Sequence, residues 1–138
     1  MNSLERPVLS VERGGRIETD TLLQLAVAAA LEVKPTSLVY LDLRGLCSFT
    51  DHFLIVSAPS VRQVRAAAER IEEQLREAHI RLFHREGDQE ARWILLDYSD
   101  VIIHIFDEEM RLYYDLEGLW ADAPRRELVQ DGSSVPSR

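Results

Sequence analysis

The stretch Trp93-Ile94-Leu95-Leu96-Asp97-Tyr98-Ser99-Asp100-Val101-Ile102-Ile103-His104-Ile105-Phe106 sets two apolar runs around one polar corner. Residues 92–98 and 101–106 are rich in β-branched and aromatic side chains, so each reads as a strand. Ser99-Asp100 is short enough to be a tight corner between them. In the second run Val101, Ile103 and Ile105 share one face, while Ile102, His104 and Phe106 share the other. A strand that is apolar on both faces needs a covering layer on each side, which points to helices packed on a sheet.

Working outward, residues 80–85 alternate loosely and predict another strand, joined to 92–98 by a turn at 86–90 that contains Gly87 and Asp88. The clearest helix lies before it. Ser60 and Gln63 have capping-box spacing, and Val61, Val64, Ala68, Ile71, Leu75 and Ala78 recur every three or four residues as one stripe. Glu72 and Arg76 are spaced to pair on its wet side. Residues 38–43 and 53–56 read as strands, and 21–33 as a helix capped by Thr19 or Asp20 and stopped by Pro35. Residues 108–119 support a short helix or two turns. The order predicts a mixed α/β (α+β) fold, one sheet flanked by helices, in a single domain at 19–122. Residues 1–18 read as a flexible extension. Residues 123–138, with Pro124, Gly132 and Pro136, read as a disordered tail.

Of 138 residues, 46% are hydrophobic and 29% charged, which excludes wholesale disorder. No apolar run approaches the roughly 18 residues of a membrane span, and residues 1–16 lack the apolar centre of a secretory signal. Cys47 is the only cysteine, so an internal disulfide is impossible, and a reduced, cytoplasmic setting is expected. A net charge of −8 argues against a broadly cationic nucleic-acid binder. That charge is concentrated. Between residues 86 and 122 eleven carboxylates face only Arg92 and Arg111, a net −9 that leaves +1 for the rest. Such a segment is either a solvated acidic face or a surface that steers a basic partner. Trp93, Tyr98, Tyr113, Tyr114 and Trp120 lie inside it, and aromatics among charges suit a protein interface as well as a core. Helical spacing favours packing for Tyr114 and Trp120; for Trp93 and Tyr98 the two readings balance.

Signals for catalysis are sparse. Arg13-Gly14-Gly15-Arg16 opens no strand-to-helix phosphate loop, and no Gly-Lys-Ser or Gly-Lys-Thr occurs. His52, His79, His84 and His104 lack paired metal-ligand spacing; Asp97, Asp100 and His104 come nearest to a metal cluster. A histidine between Ile103 and Ile105 is more often a hydrogen-bonded core residue. Cys47 with His52 could make a nucleophile and base, but no oxyanion feature accompanies them. Asp42 and Asp51 could form a carboxylate pair for magnesium, although Asp42 is better placed to end a strand or pair with Arg44.

Residues 93–106, followed by Tyr113-Tyr114-Asp115-Leu116-Glu117-Gly118-Leu119-Trp120, resemble the Iojap/RsfS family of ribosomal silencing factors. Thr50-Asp51-His52-Phe53-Leu54-Ile55 and Val64-Arg65-Ala66 match upstream in order and spacing, so the resemblance runs from about Asp20 to Asp122. Ser99 stands where that family commonly has glycine, which implies either a turn without positive φ or some strain. The resemblance implies a nucleotidyltransferase-like mixed sheet without the catalytic apparatus: no enzyme, no cofactor and no metal. It also implies binding to the large ribosomal subunit through ribosomal protein number fourteen. Subunit joining would thereby be blocked and translation repressed when nutrients are scarce, with a possible homodimer when free. Trp93 and Tyr98 are then expected as apolar anchors, Asp97 and Asp100 as answers to basic side chains, and His104 as a contact or a support. A large-subunit assembly factor and a small metal-dependent nucleotidyltransferase-like enzyme are the alternatives.

Overall fold

The structure, a computed structural model, describes residues 14–87 and 89–129, with side chains from Thr19 onward. It is a six-stranded mixed sheet with helices on both faces. In chain order the elements are α1 (Gly14–Glu32), β1 (Ser37–Asp42), β2 (His52–Ala58), α2 (Val61–Glu77), β3 (His84–Glu86), β4 (Trp93–Asp97), β5 (Val101–Asp107), α3 (Glu108–Tyr114), α4 (Leu116–Leu119) and β6 (Arg125–Val129). Across the sheet the order is β3-β4-β5-β2-β1-β6. β2 and β5 run parallel in the middle, and every other neighbouring pair is antiparallel. Both central strands are buried along their whole length, as their two-sided apolar patterns require.

The stripe on α2 behaves as its spacing predicts. Val64, Ala67, Ala68, Ile71 and Leu75 are buried, and the Ser60 hydroxyl caps the helix by accepting from the Gln63 amide at 3.2 Å. With Leu22, Ala26, Ala29 and Ala30 of α1, this stripe covers the sheet face made by Leu54, Val56, Ile94, Leu96, Val101, Ile103 and Ile105. Each fully buried Leu, Ile or Val contributes roughly 1.5–3 kcal/mol to that packing. The opposite face carries Val39, Leu41, Phe53, Ile55, Ile102 and Phe106, and the shorter α3 and α4 shelter it with Met110, Leu116 and Trp120.

Several expectations need correction. α1 begins at Gly14, seven residues before the expected start. Thr19 is therefore an interior residue bonded to Asp100 at 3.2 Å, not a cap. The last residues of the expected extension belong to this helix; residues 1–13 lie outside the described residues. The tail expected from 123 is overturned at its start: Ala123 is buried and β6 pairs with β1. Residues 130–138 lie outside the described residues. Of the strand expected at 80–85 only the end is laddered, as β3. Glu72 pairs with Arg85 across to the sheet rather than with Arg76.

The two corners that frame β4 explain themselves locally. Gly87 has φ +84, and a Cβ there would fall 1.9 Å from the Trp93 carbonyl oxygen, so only glycine fits the turn leading into β4. Ser99 has φ +78, the strained alternative, with its amide donating to Asp97 Oδ1 at 2.8 Å. Ser99→Gly is expected to raise unfolding stability by about 0.5–1 kcal/mol, the relief of positive φ less the added freedom of the unfolded chain. Urea unfolding midpoints check this; a less stable variant would show that the serine is not strained.

Candidate functional site

Strand parity and register decide what surrounds Trp93. The two-residue corner pairs Asp97 with Ile102 and Trp93 with Phe106. The residues that follow Phe106, in α3, are thereby brought beside Trp93. The Trp93 ring stacks on Phe106 at 5.3 Å and on His104 at 5.9 Å, and tilts against Tyr114 at 4.7 Å. Tyr113 stands edge-on to Tyr114 at 5.1 Å. Trp93 is half-buried, whereas Tyr113 is 75% exposed and Tyr114 43%. An aromatic ridge thus climbs from the sheet to the surface of α3, with exposed Leu112 and Leu119 on α3 and α4 beside it in sequence.

The ridge rests on a fixed base. Asp107 caps α3 by accepting from the Met110 amide at 2.8 Å and holds Arg92 at 2.9 Å; Arg92 also reaches Glu109 at 2.7 Å. Thr36 bonds Glu108. Asp115, at φ +47, ends α3 and caps α4 through the Gly118 amide, so the two helices turn about one residue. Arg111 and the buried Glu117 close that turn at 2.8 Å. Two carboxylates adjoin the ridge along the chain: Glu109 lies one helical turn before Tyr113, and Asp115 follows Tyr114 directly.

His104 lies beneath the ridge, 4% exposed. Trp93 Nε1–H donates to its Nδ1 at 3.1 Å, and Phe53 meets it edge-on at 4.5 Å. Burial pushes its pKa down to about 3, so the ring is neutral near pH 7. Because Nδ1 accepts, the proton sits on Nε2, which has no partner among the described residues. The core reading of this histidine is the one the structure takes.

The other expected contact residues do not gather around Trp93. Tyr98 lies five residues along the strand, an odd number, so it faces the α1–α2 side; it is 6% exposed, and burial pushes its phenol pKa up. The expectation of Tyr98 as a second surface anchor is therefore corrected. Asp97 stands at the far end of β4, roughly 13 Å from Trp93 at 3.3 Å per residue, and Asp100 lies beyond it in the corner. Asp97 holds the Ser99 amide and Asp100 accepts from Thr19. Asp97, Asp100 and His104 do not converge, and among the described residues no three His, Cys, Asp or Glu side chains could hold a metal. Glu109, bonded to Arg92 next to Trp93, is a carboxylate nearer the ridge than Asp97 or Asp100, and the register of the two-residue corner is the signal for it.

A polar cleft of about 560 Å³ opens elsewhere, among Asp20, Tyr40, Arg44, Asp51, His52 and Asp100. Arg44 is taken by Asp42 at 2.6 Å, and His52 turns Nδ1 to the Tyr40 hydroxyl at 2.7 Å rather than to Cys47. Among the described residues no helix is long and apolar enough to cross a membrane.

Comparison with known proteins shows the family. The family described as "Ribosomal silencing factor during starvation" matches residues 16–137. The chain belongs to this ribosomal silencing factor family. The ribosomal silencing factor RsfS of Halalkalibacterium halodurans is 42% identical over 107 residues, 78% of this chain and 92% of that protein. That of Bacillus subtilis is 40% identical over 108 residues, with the same shares. The chloroplastic Iojap protein of Zea mays is 35% identical over 106 residues, 75% of this chain and 45% of that protein. The fold agrees as well. A crystal structure from Chromobacterium violaceum matches with a TM-score of 0.72 at 29% identity, over 86% of this chain and 92% of the other. One from Bacillus halodurans matches with a TM-score of 0.69 at 39% identity, over 79% and 99%. The expected mixed α/β family fold is the fold found.

Proposed function

We propose that this chain binds the large ribosomal subunit through ribosomal protein number fourteen and sterically blocks joining of the small subunit. Translation is thereby repressed under nutrient limitation, in the cytoplasm. The observation that carries the reading is the ridge of Trp93, Tyr114 and Tyr113, with Glu109 and Asp115 near it along a chain of net charge −8. Half-exposed aromatics with a charged rim have the anatomy of a protein interface. A basic ribosomal protein seated on RNA is a partner of complementary charge, and steering speeds such encounters. Trp93 is the anchor and His104 its support. Asp97 and Asp100 answer basic side chains at the far end of β4, since a standard interface of roughly 800 Å² per partner spans that separation. A homodimer of the free protein belongs to the same reading. The chain acts by occupancy, without a cofactor and without catalysis.

Co-sedimentation with separated ribosomal subunits tests this. The protein is expected to migrate with large subunits alone, and whole ribosomes are expected not to form when small subunits are added. Migration with neither subunit, or normal joining in its presence, overturns the proposal. Pre-ribosomal particles accumulating in rich medium on depletion would favour an assembly role instead.

A further inference from the structure

We propose that His104 is a positioning residue for recognition, holding the Trp93 indole in the orientation that the partner meets. This inference rests on the reading of the Trp93 ridge as the contact surface. Three observations carry it. Among the described residues the one polar contact of the Trp93 side chain is Nε1–H to His104 Nδ1 at 3.1 Å, and that bond fixes the rotation of the ring about its own axis. His104 is itself immobile: it is 4% exposed, edge-on to Phe53 at 4.5 Å and parallel to Phe106 at 6.0 Å. Its second nitrogen is buried without a partner among the described residues. An apolar side chain would fill the same site without that desolvated N–H, so packing alone gives no reason for an imidazole there.

The chemistry is one-directional. An indole nitrogen only donates, so the group beneath it must accept; a neutral imidazole with its proton on Nε2 does so. The acceptor cannot be lost by protonation near neutral pH, because the site excludes the charged ring. Without the acceptor the indole N–H turns toward water and the ring samples several rotamers. Binding must then order it again, which weakens affinity about three- to tenfold.

The test uses the full chain and purified large subunits. His104→Phe keeps an aromatic ring but has no acceptor, and is expected to bind about three- to tenfold more weakly. His104→Asn sets a carbonyl oxygen near the place of Nδ1 and is expected to recover most of the loss. In nitrogen-15 spectra the Trp93 indole N–H, assigned with Trp120→Phe, is expected to be protected from exchange in the parent and the Asn variant but not in the Phe variant. Equal weakening by both substitutions, or parental affinity in His104→Phe, overturns the proposal. Should either variant fail to fold, the His104 ring nitrogens of the unsubstituted protein decide: a proton on Nδ1 instead of Nε2 overturns it. Trp93→Ala separates the two levels. If that variant binds the large subunit normally, the contact reading itself fails; if it binds weakly while His104→Phe binds normally, only the role of His104 does.

Discussion

Trp93→Ala is expected to weaken large-subunit binding by thirtyfold or more while the chain still folds. Buried or half-buried tryptophans at the centre of an interface commonly cost about 2–4 kcal/mol when truncated, and each step of about 1.4 kcal/mol is tenfold. Trp93 has the structural features of such an anchor. Its ring is backed by Phe106 and His104, flanked by Tyr114 and still reachable from outside. Truncation would also remove packing on the second face of the sheet, so a lower melting temperature is part of the expectation. A neighbouring substitution separates the two effects. Ile94 is fully buried on the α1–α2 side of the same strand, and Ile94→Ala should cost about 2–5 kcal/mol of stability with little effect on binding. Quantitative co-sedimentation beside thermal unfolding gives both numbers for both variants. Binding losses that simply follow the stability losses would mean that Trp93 is a structural residue.

The legible parts of the fold were those specified by side chains that had to be buried. β4, the Ser99-Asp100 corner and β5 follow from their alternation, and α2 from its stripe and its cap, because in each the pattern and the packing are the same fact. β6 was illegible for the opposite reason. Arg125, Arg126 and Glu127 are exposed on an edge strand held by backbone bonds to β1, and a backbone ladder leaves no apolar alternation to read. The early start of α1 was hidden by Gly14 and Gly15, poor helix formers that its packed continuation overrides. At the site, the register of the hairpin is already present in the sequence. Five residues separate Trp93 from Tyr98, which puts them on opposite faces, and the corner sends the chain after Phe106 back toward Trp93. The Trp93–His104 bond lay beyond any pattern, since it depends on which way two rings face.

Acidification is expected to destabilise the protein well before its carboxylates protonate, and His104 supplies the largest single part. Buried in the native state, this ring takes up a proton only near pH 3; in the unfolded chain it does so near its ordinary value of 6.5. Between those values the unfolded state binds the extra proton, so stability rises with pH there and is lost as pH falls through 6.5. The limiting slope is about 1.4 kcal/mol per pH unit for one histidine. His52, pushed down by burial and by Arg44, adds to the upper part of the window. Asp42, held at about 2 by its bond to Arg44, contributes only below the ordinary carboxylate range near pH 4. Unfolding in urea at pH 7, 5.5 and 4.5 should therefore show a steady loss that His104→Phe makes shallower by close to one proton. By pH 4.5 the variant should stand about 2–3 kcal/mol better, relative to its parent, than it does at pH 7. Parallel pH profiles for the two proteins would mean that the ring is not excluded from protonation in the fold. The same burial that produces this acid sensitivity leaves His104 neutral between pH 6.5 and 8, where an acceptor for Trp93 is needed and a cation would be none.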